Sequence, residues 1–83
     1  MNQPVGYLRE ILSNYTDRSD TAKQIYSIIK DRDFTTETSF IRELNEQQIN
    51  FLNQILPDEI NHAKEEQDSE RAHQLNEVYE LLF

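Results

Sequence analysis

The sequence predicts an all-α fold: a small bundle of four to five helices ending in a helical hairpin, within one domain over residues 1–83. Three observations predict it. Apolar residues recur three or four positions apart, which places them on single helix faces. Gly occurs once and no alternating run exceeds a few residues, so nothing competes as a strand. Short polar residues that suit helix caps stand between the apolar stretches.

Met1 to Gln3 is expected to fray. Pro4 suits the first turn of a helix, where its missing N–H costs nothing, and Tyr7, Leu8, Ile11, Leu12 and Tyr15 follow at helical spacing, so the first helix should end near Tyr15. The polar run from Thr16 to Asp20 reads as a loop, with Ser19 or Asp20 as the next N-cap. A second helix from about Thr21 to Lys30 should bury Ala22, Ile25, Tyr26 and Ile29, with Ile28 off that stripe. Thr35 or Thr36 then caps a short third helix carrying Phe40, Ile41 and Leu44, while Phe34 plugs the core from the loop.

The stretch from Asn45 to Phe83 dominates the rest. Asn45 with Gln48 three residues on makes a variant of the capping box, and Leu44 is placed to staple against Ile49. The stripe continues through Leu52, Leu56, Ile60 and Ala63, then Ala72, Leu75, Val78, Tyr79 and Leu82. One helix from Glu46 to Leu82 would be about 55 Å long, against a radius of gyration of about 12 Å for a compact domain of this size. The stretch must therefore bend, or a second chain must cover it. Pro57 predicts a kink or a restart, and the run Lys64 to Arg71, which has no apolar side chain, predicts a turn with Asp68 or Ser69 as the next cap. A hairpin is preferred to a straight rod, with the small residues Ala63 and Ala72 letting the two helices approach closely.

Composition narrows the function classes. A chain of 83 residues buries only about 60 to 65 per cent of the surface that its unfolded form exposes, and without Cys it has no disulfide or thiolate metal site to compensate. Dimerisation is the remaining common device. The N-terminal residues lack the pattern of a secretory signal, and no stretch approaches the roughly twenty apolar residues that span a bilayer, so a cytoplasmic protein without a membrane partner is expected. Sixteen acidic against eight basic residues give a formal charge of -8, which repels nucleic acid and anionic membrane surfaces.

No residue pattern calls for catalysis. The serines read as caps, loops or helix surface, no Gly-rich loop cradles phosphate, and paired carboxylates such as Glu65 and Glu66 sit where nothing would raise a pKa. The chain is therefore expected not to be an enzyme and to use no cofactor. One constellation suggests metal: the motifs Glu59-x-x-His62 and Glu70-x-x-His73 have the spacing of helical di-iron or di-manganese ligands, with Glu43 or Glu46 available as further carboxylates. Both histidines, however, lie about 200° round the helix from the apolar stripe, which reads as solvent-facing imidazoles beside helical salt-bridge partners.

The tyrosines lie on apolar stripes and read as core or interface residues with hydroxyls at the rim. Phe51 and Ile55 lie off the main stripe of their helix and make it apolar round half its circumference, which calls for contact on two sides, by another part of the fold or another chain. With Leu81 and Phe83 in the apolar tail they form the candidate surface for a protein partner or a second copy. An acidic face that imitates nucleic acid is a further alternative.

Several segments are familiar together: Gly6-Tyr7-Leu8-Arg9-Glu10 with Leu12-Ser13-Asn14, Phe51-Leu52-Asn53, Glu66-Gln67-Asp68, Arg71-Ala72, and Leu75 to Leu82. They resemble the CsgA family, the sigma-G-dependent, sporulation-specific small acid-soluble spore proteins of Bacillus relatives, over nearly the whole chain. The resemblance implies synthesis in the developing forespore and a role as non-enzymatic spore constituent or protein-binding regulator. It supplies no active site to carry over, and Pro57 departs from the family pattern.

Overall fold

The structure is a computed structural model that describes residues 2–82. Its elements are α1 (Gln3–Leu12), α2 (Asp20–Asp31), α3 (Glu37–Ile41), α4 (Glu46–Glu65) and α5 (Ser69–Glu80), with no strand among the described residues. The all-α bundle with a C-terminal hairpin is therefore the observed fold. α4 packs along α5, α1 lies on α5 and α2, and α2 closes on α4. None of the helices is long and apolar enough to cross a membrane.

α4 sets the size of the molecule. Its twenty residues make a rod of about 30 Å, which matches the longest extent, 30 Å, and the radius of gyration is 11.7 Å. Leu52, Leu56, Ile60 and Ala63 bury one arc of it, and Leu8 and Leu12 of α1, Ile25 and Ile29 of α2 and Leu75 and Val78 of α5 complete one continuous core. Phe34 plugs this core from the loop as expected, meeting Phe40 edge-on at 5.5 Å. Gln48 is the one polar residue buried among the described residues; its amide donates to Gln24 Oε1 at 3.2 Å and ties α4 to α2.

The chain's local chemistry explains each boundary. Asn2 does not fray: its side chain caps α1 through the Val5 N–H and its own N–H donates to the Phe34 carbonyl at 3.1 Å. α1 stops at Leu12, three residues before the expected end at Tyr15, because the chain tightens into turns there. The Asn14 and Tyr15 N–H groups reach back only three residues, and the Ser13 hydroxyl donates to the Glu10 carbonyl at 2.6 Å. Ser19 and Thr36 are the caps of α2 and α3. Ile41 ends α3, so Leu44 lies beyond it, half-buried in the connection. The Asn45–Gln48 capping box is complete in both directions, at 2.8 and 3.0 Å.

Pro57 neither ends nor restarts α4, which runs on to Glu65. Proline lacks an N–H, so the Asn53 carbonyl loses its helical partner; buried Leu52, Leu56 and Ile60 on both sides of it hold the rod together. The turn falls instead at Glu66-Gln67-Asp68, within the predicted apolar gap. The Asp68 N–H donates to the Ala63 carbonyl and the Gln67 N–H to the Lys64 carbonyl, at 2.8 and 3.0 Å, the paired bonds of a Schellman stop. Gln67 takes φ 59°, the left-handed conformation that this stop requires, and Asp68 caps α5 by accepting from the Arg71 N–H. Ala63 and Ala72 are both buried where the two helices meet.

Candidate functional site

Polar and apolar side chains come together at the corner where the turn after α1 meets α4, and in the cleft between α4 and α5. At the corner, Phe51, Ile55 and Glu59 stand four residues apart and share one side of α4. Tyr15, set on the turn that follows α1, covers that side. Its ring meets Phe51 edge-on at 5.9 Å and its hydroxyl donates to Glu59 Oε2 at 2.7 Å, across 44 residues of sequence. The Arg18 guanidinium lies 4.8 Å over the same ring.

Electrostatics at this corner favour a neutral phenol. Burial, the hydrogen bond to Glu59 and the nearby carboxylate charges of Glu59 and Asp58 push the Tyr15 hydroxyl up to about 12, with Arg18 opposing. A group that holds its proton this firmly is no general base at neutral pH. What it does is fasten the α1–α2 connection to the middle of α4.

Tyr15 decides the fate of the proposed contact surface. The second side of α4 is met by this chain's own fold: Ile55 is 9% exposed and belongs to the core, and Phe51 is half-buried beneath the tyrosine. Ile55 therefore offers no surface to a partner. Leu81 is 41% exposed, the large apolar side chain that stands out from the described surface. Phe83 lies outside the described residues.

The Glu-x-x-His motifs do not converge. Glu59 is engaged by Tyr15, His62 is exposed, Glu70 accepts from Gln74 Nε2 at 2.9 Å, and His73 Nε2 lies 3.1 Å from Glu77 Oε1 one turn on. Glu43 pairs with Arg32 and Glu46 is exposed in the first turn of α4. No group of three or more His, Cys, Asp or Glu among the described residues stands close enough to hold a metal ion. The solvent-facing direction read from the sequence is the one observed for both histidines.

The cleft between α4 and α5 has a volume of about 410 Å³. Ile60 and Ala72 give it apolar surface, and Lys64, His73 and Asn76 line it with polar groups. Sequence reasoning placed Lys64 in the apolar gap that predicts the turn and His73 in a Glu-x-x-His motif, and gave Asn76 no site role. The signal available was the small residue Ala72 between two long polar neighbours, Arg71 and His73, which leaves a gap where two helices meet.

Known proteins agree with the residue pattern. The family model CsgA, described as minor curli fiber component A, matches residues 1–83. A relative from Bacillus subtilis (strain 168), named Sigma-G-dependent sporulation-specific SASP protein, is 40% identical over 83 residues that cover 100% of this chain and 100% of the relative. No solved structure matches. The two descriptions differ in kind, a fibre component and a spore protein. A fibre built from stacked strands would need extended segments, and the described residues are helices and turns without a strand. The match over the whole chain, with a full-length relative at that identity, establishes that the chain belongs to the CsgA family.

Proposed function

We propose that the protein is a small, acidic, non-enzymatic protein of the developing forespore, acting through contact with another protein or with a second copy of itself. The observation that carries this reading is the full-length relative whose name is sporulation-specific and sigma-G-dependent. Its match leaves no segment of this chain over which the two proteins fail to align. The polar groupings support contact over catalysis, since Glu59, Glu70 and Asp68 are each engaged by a hydrogen bond or cap. Leu81 is the apolar group best placed to meet a partner, with the accessible edge of Phe51 as a second point.

Immunodetection in a sporulating culture tests the compartment. The protein is expected in forespores and mature spores and not in growing cells, and equal amounts in both would overturn the reading. Light scattering on the purified protein, together with affinity capture from sporulating cells, tests the contact. Leu81→Asp is expected to abolish dimerisation or the retention of a specific partner while leaving the helical signal intact.

A further inference from the structure

We propose that the cleft between α4 and α5 binds a small organic anion: a carboxylate or phosphate carried on a compact apolar body. The inference does not depend on the spore reading. It starts from the residues that line the cleft. The chain has twice as many acidic as basic residues, sixteen against eight, yet no Asp or Glu lines this cleft. Lys64 and His73 stand on its two walls, one from each helix, with the Asn76 amide beside them and Ile60 and Ala72 supplying apolar surface. A lysine ammonium on one wall, an imidazole on the other and an apolar patch suit a ligand with a charged head and an apolar body.

The surroundings agree with this chemistry. The Lys64 ammonium has no ion-pair partner among the described residues, so a ligand need displace nothing to reach it. His73 Nε2 lies 3.1 Å from Glu77 Oε1 and the Asn76 amide donates to Glu80 Oε1 at 2.6 Å, exposed carboxylates that an incoming anion has to replace. Ser69, the first residue of α5, also lines the cleft, at the helix end where the backbone dipole favours negative charge. The N–H groups of Glu66, Gln67 and Asp68 take no part, because the carbonyls of His62, Lys64 and Ala63 already hold them. A volume of about 410 Å³ lies within the range of small-molecule clefts, roughly 300 to 1,000 Å³. The charge of -8 repels a long polyanion over its whole length, whereas a small anion meets chiefly the charges within about a Debye length, 8 to 10 Å, of the cleft.

Amide-proton NMR of the full chain at fixed ionic strength, titrated separately with phenyl phosphate, benzoate, inorganic phosphate and benzyl alcohol, tests the assignment. One aromatic anion or both should shift the signals of residues 60–76 saturably, and the better of them identifies the head group. Inorganic phosphate and benzyl alcohol should bind there about tenfold more weakly. Lys64→Gln, and separately His73→Gln, should each weaken the better anion about five- to tenfold while the remaining spectrum stays that of the folded protein. Equal binding of benzyl alcohol would remove the anion from the proposal, and equal binding of inorganic phosphate would remove the apolar body. Shifts scattered outside residues 60–76, or both variants binding like the parent, would overturn it.

Discussion

Tyr15 shows how a single side chain can settle what a helix face is for. Its hydroxyl bond to Glu59 and its edge contact with Phe51 turn an unpartnered side of α4 into the inside of the molecule. Replacing it with Phe keeps the ring contact and removes the bond to a charged acceptor, an expected loss of about 1 kcal/mol at neutral pH. The pH dependence has a definite sign. The folded-state value, about 12, lies above the unfolded value of about 10, so the folded protein holds a proton that the unfolded chain releases. The contribution is present in full below about pH 10 and disappears as the pH rises through about 12. Denaturant titrations should show the advantage of the parent over Tyr15→Phe shrinking across that window and constant beneath it.

At the scale of the elements, α4 and its stop contain two local conflicts, and each yields a prediction. Pro57 sits inside a continuous helix, where proline is about 3 kcal/mol less favourable than alanine; its restriction of the unfolded chain returns about 0.4 to 1 kcal/mol of that. Pro57→Ala should therefore stabilise the protein by about 2 to 2.6 kcal/mol, measurable in urea. A neutral or destabilising result would mean that the ring's own packing outweighs the restored bond to the Asn53 carbonyl. Gln67 holds the left-handed position of the Schellman stop, which costs a residue with a Cβ about 1 kcal/mol or more and costs glycine little. Gln67→Gly should stabilise by about 0.5 to 1 kcal/mol after allowing for glycine's freer unfolded chain.

These two positions also mark how far the elements were legible in the sequence. The caps at Ser19, Thr36, Asn45 and Asp68 could be read, or narrowed to a pair of neighbours, because capping depends on a side chain and the backbone three residues on. The end of α1 could not, since tight turns replace the helix where the sequence still keeps its apolar spacing at Tyr15. Pro57 starts no new helix for the opposite reason. A strong local preference is overridden by core contacts from distant helices, which a linear pattern does not contain. The candidate surface followed the same rule: Ile55 reads as a residue without a place until the Tyr15 turn, forty residues earlier, is seen to reach its helix neighbours Phe51 and Glu59.

Over the whole molecule the balance of charge should matter more than any ion pair. The ion pairs Arg71–Glu10, Arg71–Asp68, His73–Glu77 and Arg32–Glu43 all involve partly or largely exposed side chains, and such pairs are worth about 0 to 1 kcal/mol each, less in salt. Against them stands a charge of -8 on a body of 30 × 28 × 22 Å, so many like charges lie close enough to repel at low ionic strength. Salt weakens both effects, but the repulsion sums over the entire surface and the attraction over a few exposed contacts. Raising sodium chloride from about 10 to about 200 mM shortens the screening length from about 30 Å to about 7 Å, well inside the molecular width. Stability should then rise by about 0.5 to 1 kcal/mol, which for a domain of this size is an increase in Tm of about 3 to 6 °C. The same scan on Glu65→Gln with Glu66→Gln, two exposed carboxylates at the end of α4 where the helix dipole disfavours negative charge, should begin from a higher Tm and rise less. A Tm that falls with salt would mean that the surface pairs outweigh the repulsion, and that the acidic excess is spread too thinly to strain the fold.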